Sequence, residues 1–165
     1  MNCTETFSDI VAVWPIPSSS IEYDIPFNVR KRQYSRSHMR LKDESLLDTL
    51  VYYTLSKNGD DKAIEIVENG NIVRASTKKT IAGRAHDVSL SLIISEKTDL
   101  SQRMAEQLDS LRHDFIIKAS DGSYLLLRTS DNAYSCITEE DYSAEYQLKH
   151  TISIENYNGI MRLTE

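Results

Sequence analysis

Apolar and polar residues alternate along two long stretches of the chain, at 84–96 and 145–155. In each stretch the apolar residues fall on one face, and most charged and hydroxyl residues fall on the other. A period of two residues is typical of an antiparallel strand with one buried face. The positions that define the apolar faces are Val88, Leu90, Leu92 and Ile94 in the first stretch, and Tyr146, Leu148, Ile152 and Ile154 in the second. The sequence therefore predicts two long, half-buried strands.

Between these strands the period changes to that of a helix, at 99–112. Apolar residues there recur at intervals of four, four and three positions, which places them on one stripe of an α-helix. Asp99 is suited to cap the N-terminus, and Gln102 completes a pair that resembles a capping box. The stripe consists of Leu100, Met104, Leu108 and Leu111. We predict one prominent helix.

Four Asn-Gly or Asp-Gly steps punctuate the chain after residue 46. Such pairs favour the positive φ angles of tight hairpin turns. The steps are Asn58-Gly59, Asn69-Gly70, Asp121-Gly122 and Asn158-Gly159. The strands predicted around the second and third steps are 62–68 with 71–76, and 114–119 with 123–129. A short strand at 160–163 is predicted after the last step.

Two further segments are less regular. Residues 49–56 are rich in β-branched and aromatic side chains and predict another strand. A helical face is the alternative for the region that begins just upstream, with the apolar residues Leu46, Leu47, Leu50 and Val51. Residues 130–144 are acidic and have no period, so we predict a loop there.

The first 45 residues differ in composition from the rest of the chain. All three prolines, Pro15, Pro17 and Pro26, lie there, with three consecutive serines between the second and the third. Proline is disfavoured in helix interiors and in central strands, and it biases the preceding residue towards extended geometry. We therefore predict an extended N-terminal arm, which packs either on its own domain or on a neighbouring chain.

These patterns together predict an α+β fold that is mainly β. It is an antiparallel β-sandwich with one flanking helix at about 99–112 and an extended N-terminal arm. The predicted organisation is an arm at 1–45, with a basic block at 30–42, and a β-rich domain at 46–165 that contains the main helix.

Length and composition exclude several classes of protein. The chain has 165 residues, of which 40% are hydrophobic and 27% charged, as in an ordinary globular domain. No apolar run approaches the ~20 residues of a membrane span. The first ten residues hold two acids and no base, unlike a secretory signal. A net charge of −6 argues against a protein that coats nucleic acid.

Positive charge is concentrated in one block. Residues 1–29 hold four acids and no lysine or arginine, 30–42 hold six bases and no acid, and 43–165 hold 13 bases and 21 acids. The block could contact phosphate or an acidic partner, with a tyrosine available to stack. It could instead neutralise the acidic remainder of its own fold or of a neighbouring copy, or be a solvated run. The candidate partner-binding residues are Arg30, Lys31, Arg32, Tyr34, Arg36, Arg40 and Lys42.

No residue pattern points to a catalytic centre. The chain lacks Gly-x-Ser-x-Gly and a glycine-rich phosphate loop. The histidines lie far apart and outside the close spacing of metal sites, although His150 falls on the apolar side of its predicted strand. Cys136 lies among acids, which disfavour a thiolate. We expect no enzyme, no catalytic residue, no cofactor, no metal and no small-molecule ligand. The other histidines are His38, His86 and His113.

The order of strand, capped helix, hairpin, loop and long strand resembles small structural proteins of tailed bacteriophages. The segments that carry the resemblance are AHDVSLSLIISEKTDLSQRMAEQLDSLRHDFIIKASDGSYLLLRTS and EYQLKHTISIENYNGI. They look like tail or neck proteins from phages of gut Bacteroidales, and the architecture is similar to the tail-tube and tail-terminator fold. The resemblance covers about 62–163. It implies a ring around the DNA channel and supplies no catalytic residues.

We therefore expect a non-enzymatic structural protein of a phage virion, a ring component of the tail or of the head–tail connection. Its partners would be further copies of itself and neighbouring virion proteins, with only non-specific proximity to DNA and no membrane. It would be made in the bacterial cytoplasm and located in the particle. A head-to-tail ring joins two different patches, such as the basic block and the acidic body. The alternatives are a small acidic inhibitor or immunity-type protein that binds one basic partner, a ligand-binding β-domain and an enzyme.

Overall fold

The computed structural model describes residues 3–7, 10–24, 33–68, 71–81, 83–94, 96–129, 133–142, 147–156 and 160–164. The helices in these ranges are α1 (Asp99–Ser110) and 3-10 helices at Ser18–Ser20, Arg36–His38 and Glu44–Asp48. The strands are β1 (Cys3–Phe7), β2 (Ile10–Pro17), β3 (Ile21–Tyr23), β4 (Gln33–Ser35), β5 (Met39–Leu41), β6 (Tyr52–Thr54), β7 (Ala63–Glu65), β8 (Ile72–Thr80), β9 (Gly83–Ile94), β10 (His113–Ala119), β11 (Tyr124–Leu127), β12 (Ala133–Asp141), β13 (Gln147–Asn156) and β14 (Ile160–Thr164).

The strands form two main sheets and a small ribbon. The five-stranded sheet is antiparallel, in the spatial order β1-β8-β9-β13-β12. The seven-stranded sheet has the order β4-β14-β11-β10-β2-β6-β7, and it is mixed because β4 runs parallel to β14 and β7 runs parallel to β6. β3 and β5 pair separately as the ribbon. The long strands predicted from alternation are β9 and β13, which pair with each other.

The hydrophobic core combines apolar residues of both sheets with those of α1. Leu90 and Leu92 of β9 share a buried cluster with Phe115 and Ile117 of β10 and with Leu108 of α1. Burial of each such side chain stabilises the fold by about 1.5–3 kcal/mol. Two sheets around one core, with one α-helix in the described residues, confirm the predicted class of α+β, mainly β.

The other face of the seven-stranded sheet is covered by N-terminal residues. Leu126 of β11 and Met161 of β14 form a second buried cluster with Tyr34 of β4. Tyr23 and Met39 of the ribbon pack against this cluster. Both faces of β11 are therefore covered, as its consecutive leucines predict.

This arrangement corrects the prediction of an extended arm at 1–45. β2 lies inside the seven-stranded sheet, between β10 and β6, and its Val13 is fully buried. The described part of 1–45 thus belongs to the same fold as 46–165, and the boundary at residue 45 does not separate a free arm. Of the two placements considered for the segment, packing on its own domain is the one observed.

The position of the prolines explains why β2 tolerates them. The Ser18 N–H donates to the Arg112 carbonyl at 3.0 Å, on the β10 side. Successive residues of a strand direct their N–H groups to opposite sides, so Pro15 and Pro17 have their nitrogens on the side away from β10. On that side β6 pairs only with Ala12 and Val13. The prolines therefore cost β2 no ladder hydrogen bond there.

The predicted hairpin between 62–68 and 71–76 is wrong. β7 lies in the seven-stranded sheet, whereas β8 lies in the five-stranded sheet between β1 and β9. Asn69-Gly70, the step predicted to form the turn, lies outside the described residues. β8 instead continues into a long antiparallel ladder with β9, from Ile72↔Ser91 to Thr80↔Gly83, which offers many more backbone hydrogen bonds than a short hairpin with β7.

The loop predicted at 130–144 is wrong as well. β12 occupies most of this segment and pairs along its length with β13. Its acidic residues Glu139, Glu140 and Asp141 are exposed at the edge of the five-stranded sheet. Charged side chains are common on edge strands because they discourage pairing with other chains, so here the acidic composition concealed a strand.

The predicted helix and its following hairpin are confirmed, with small shifts. Thr98, one residue before Asp99, caps α1 and forms a capping box with Ser101. Leu111, the last residue of the predicted stripe, is the C-cap and is 56% exposed. β10 and β11 pair across a turn in which Gly122 has a φ of +87°.

The segment before β7 also differs from its prediction. Residues 44–48 form a short 3-10 helix, and the strand predicted at 49–56 is reduced to the three residues of β6. Asn58 and Gly59 do adopt positive φ angles of 48° and 79°. They lie between β6 and β7, which run parallel, so this step forms a turn without forming a hairpin.

Candidate functional site

A buried polar network, which we call the Asp114 network, joins three parts of the chain. The Asp114 carboxylate, at the start of β10, is fully buried. It accepts hydrogen bonds from the Ser18 hydroxyl at 2.7 Å, the Tyr23 hydroxyl at 2.5 Å and the Thr129 N–H at 3.0 Å. The Thr129 hydroxyl donates to the His113 carbonyl at 2.6 Å. The network thereby ties the ribbon to β10 and to the end of the β10–β11 hairpin.

The electrostatics of this network favour a structural role. Burial, reinforced by the neighbouring Asp114 charge, raises the pKa of Tyr23 far above its ordinary value. The phenol therefore stays protonated and continues to donate to the carboxylate. The Arg128 guanidinium lies 4.6 Å from the centre of the Tyr23 ring. These hydrogen bonds and the cation–ring contact are suited to holding the ribbon in place.

The described histidines and Cys136 do not converge on one place. His113 is buried with Nδ1 2.9 Å from the Leu111 carbonyl oxygen, and burial lowers its pKa. His38 lies in the 3-10 helix at Arg36–His38. Cys136 lies in β12 and packs against the core. The side chains of His86 and His150 lie outside those described. Within the described residues, no group of three or more histidines, cysteines or carboxylates is placed to hold a metal ion.

The described part of the basic block folds back on the molecule. Arg40 forms ion pairs with Glu22 at 2.9 Å and with Asp24 at 3.0 Å, both on the neighbouring part of the ribbon. The Arg36 guanidinium lies 5.1 Å from the centre of the Tyr124 ring. Both arginines therefore contact groups of their own chain. The charge of Arg40 is neutralised by carboxylates, and Arg36 lies on an aromatic ring. The charges nevertheless remain on an exposed surface, where each pair contributes little to stability.

The other candidate residues of the block lie in different environments. Tyr34 is only 2% exposed, and its hydroxyl donates to the His38 carbonyl at 2.9 Å. It is therefore a core residue and cannot stack against a partner. Lys42 is exposed beside the end of the ribbon. Arg30, Lys31 and Arg32 lie outside the described residues.

Three aromatic rings form a row on the outer face of the seven-stranded sheet. Trp14 stacks on Tyr52 with ring centres 5.8 Å apart and planes inclined by 18°. The Tyr124 ring centre lies 6.3 Å from that of Trp14. Lys118 lies 5.9 Å from the Tyr124 ring and Arg36 lies on the same ring. The rings pack against each other and against cations, which stabilises this face.

Next to this row is an apolar groove beneath the ribbon. Its volume is about 340 Å³. Ile16 and Ile116 of the sheet and Ile21, Met39 and Leu41 of the ribbon line it. Arg40 and Glu44 complete the lining with opposite charges, so this groove has no dominant charge with which to select a partner.

The β8–β9 hairpin turns at Ile81, past the last described pairs with its two neighbouring strands. The last described pair between β8 and β1 is Thr77↔Cys3, and the last between β9 and β13 is His86↔Asn156. Residues 78–85 therefore extend past the described pairing on both sides; we call them the hairpin tip. Ile81, at the turn, is fully exposed.

A second groove lies near the N-terminus of α1, and we call it the acidic groove. Its volume is about 330 Å³. Apolar side chains line part of it, and four carboxylates and one lysine provide the charges. The apolar residues are Ala63, Ile64, Ile94 and Leu100, and the charged residues are Lys57, Asp60, Asp61, Glu65 and Glu96.

The hydrogen bonds of Asp60 keep this groove acidic. Asp60 accepts a hydrogen bond from the Tyr52 hydroxyl at 2.7 Å and another from the Lys62 N–H at 3.0 Å. These bonds lower the pKa of Asp60, so its carboxylate is charged at neutral pH. Lys57 lies 3.8 Å from Glu96 and neutralises part of the charge.

Neither the hairpin tip nor the acidic groove was identified from the sequence. The tip has a weak signal, because Lys78, Lys79 and Arg84 surround Ile81 with no acid between residues 77 and 86. The groove has none, because its residues come from two segments, 57–65 and 94–100, that only the packing of β7 beside β9 brings together.

Comparison with protein-family models, with curated proteins and with solved structures finds no match for this chain. Among the described residues, the structure contains no helix with the length and apolar character needed to cross a membrane.

Proposed function

We propose that this chain is a non-enzymatic structural protein of a bacteriophage virion that assembles by protein–protein contacts. It would be a ring component of the tail or of the head–tail connection, placed around the DNA channel. The observation that carries the proposal is the hairpin tip, which presents the fully exposed Ile81 at its turn. An exposed apolar side chain is unfavourable in water and becomes favourable when a partner buries it.

Two further features support assembly. The edges of the five-stranded sheet are β1 and β12, each of which pairs with one described neighbour. β12 carries Ile137, 52% exposed, and Tyr142 beside it is 63% exposed. Exposed apolar side chains favour association through side-chain contacts, while the acids of β12 disfavour pairing of its backbone with another chain. The placement in a phage particle rests on the resemblance of 62–163 to phage tail and neck proteins.

The charge of the chain is compatible with a position around DNA. A net charge of −6 gives no general attraction to phosphate. A ring of such subunits would therefore surround DNA without holding it. Contacts between subunits would supply the affinity of the assembly.

The decisive measurement is the mass of the full-length protein in solution, by light scattering over a range of concentrations. We expect a defined multiple of 18.9 kDa, with ring-shaped particles in electron micrographs. Truncation of 1–45 is unsuitable as a test because β2 would be lost from the sheet. A monomer at every concentration, with no binding to other virion proteins, would contradict the proposal.

The acidic groove favours one alternative, a small inhibitor or immunity-type protein specific for one basic partner. Its carboxylates and apolar lining suit a basic side chain next to an apolar one. On this alternative the protein is a monomer by light scattering and forms a one-to-one complex with a basic enzyme. The same measurement therefore separates the two functions.

A further inference from the structure

The hairpin tip and the acidic groove lie at opposite ends of the same strand. The tip precedes and begins β9, whereas Ile94 at the end of β9 lines the groove together with Glu96. β9 has 12 residues, which corresponds to about 40 Å at ~3.3 Å per residue. The tip of a chain therefore cannot reach the groove of the same chain.

The two features are complementary in charge. The tip carries Lys78, Lys79 and Arg84 and no acid, a net charge of +3. The groove is lined by four carboxylates and Lys57, a net charge of −3. The apolar groove beneath the ribbon has one residue of each sign, Arg40 and Glu44, and so offers no such match. Complementary potentials select a partner and its orientation.

The two features are also complementary in shape and polarity. Ile81 lies roughly 13 Å past Thr77, the last residue of β8 with a described partner in β1, given ~3.3 Å per residue. A groove of about 330 Å³ has room for an isoleucine side chain. The apolar side chains of Ile64 and Leu100 in its lining would replace the water around Ile81.

We propose that the hairpin tip of one copy docks in the acidic groove of a second copy, with Ile81 buried between the two chains. The contact joins two different surfaces, so each copy can bind one neighbour at its tip and another at its groove. Such a contact closes into a ring if the rotation between copies permits and otherwise continues as a filament. This inference rests on the proposed function, since it names the contact through which the subunits assemble.

The first test compares Ile81→Asp with Leu111→Asp in the full-length chain. Leu111 is the matched control because it is also an exposed apolar residue, on the helix end. Light scattering should show that Ile81→Asp weakens association by roughly 100-fold, since an apolar anchor is replaced by a charge that the groove repels. Leu111→Asp should assemble as the wild type does.

A charge-reversal experiment tests the pairing itself. One variant carries Lys79→Glu and Arg84→Glu in the tip, and the other carries Asp61→Lys and Glu96→Lys in the groove. Each alone should remain dissociated, because tip and groove then have the same sign. An equimolar mixture should assemble, because each tip now meets a groove of opposite charge.

The outcomes separate this inference from the function on which it rests. If the wild type assembles and Ile81→Asp assembles equally well, the docking contact is wrong while the proposed function stands. The same conclusion follows if the mixed charge variants fail to assemble although each is folded by circular dichroism. A wild type that is monomeric at every concentration overturns the docking contact. It overturns the proposed function as well when it also binds no other virion protein.

Discussion

The basic block at 30–42 and the hairpin tip at 78–85 both concentrate positive charge, but the structure uses them differently. In the block, Arg40 is paired with Glu22 and Asp24, and Arg36 lies on the Tyr124 ring. The tip instead extends past the described pairing of its sheet and exposes Ile81. The block has more charges and is more conspicuous in the sequence, yet it is the tip that presents a fully exposed large apolar side chain, Ile81.

The difference shows that a run of charge by itself does not identify a binding surface. The strands around the block have apolar residues, such as Tyr34 and Met39, that pack on the outer face of the seven-stranded sheet. Because these residues are buried, the arginines between and beside them lie against the protein surface. There Arg40 reaches the carboxylates of Glu22 and Asp24. The tip has only Ile81 as a large apolar residue, and it projects from the sheet.

The contrast between the basic block and the hairpin tip is tested most strongly at the Asp114 network. This network anchors the ribbon, which carries part of the block. Asp114→Ala removes the acceptor for Ser18, Tyr23 and Thr129. Because three donors lose a shared charged acceptor at a buried position, we expect the free energy of unfolding to fall by about 3 kcal/mol or more. Urea denaturation measures this, with the exposed Asp109→Ala as the control. A loss below about 1 kcal/mol would show that the ribbon is held by other contacts.

A smaller effect is expected from pH at the same junction. Burial lowers the pKa of His113 below its ordinary value of 6.5, so near pH 6 the unfolded chain binds a proton that the folded chain does not. The free energy of unfolding should therefore fall as the pH drops through this window. His113→Gln should reduce this slope between pH 7 and pH 5. Equal slopes in both proteins would mean that the pKa of His113 is the same in the folded and the unfolded chain.

The smallest effect on stability is expected at the hairpin tip. Ile81 is fully exposed, so Ile81→Asp removes no buried contact from the monomer. We expect the free energy of unfolding, measured under dissociating conditions, to change by less than about 0.5 kcal/mol. A loss above 1 kcal/mol would show that the tip packs on its own chain, and the contrast with the basic block would disappear.

Periodicity predicted the elements whose pattern is local. The alternation at 84–96 corresponds to β9, the stripe at 99–112 to α1, and the Asp121-Gly122 step to the turn between β10 and β11. In each case neighbouring residues alone specify the geometry, through side-chain period, capping or a positive φ angle.

Predictions that depended on the partner of a strand were less reliable. β8 pairs with β9 and not with β7, and β12 is a strand despite its acids because β13 provides a full ladder. The prolines of β2 suggested an arm, but their nitrogens lie where β6 no longer pairs. Local composition does not record which neighbouring strand is available.

The sequence by itself determined the mainly β class, the position of the helix, the net charge and the location of every charged run. The tertiary structure decided which of those charges are neutralised within the chain, that 10–17 is an inner strand, and that 57–65 and 94–100 meet in an acidic groove. The physical reason for this division is the distance along the chain over which each interaction acts. Backbone and side-chain preferences act over a few residues, whereas sheet pairing and burial are settled between segments that are distant in sequence.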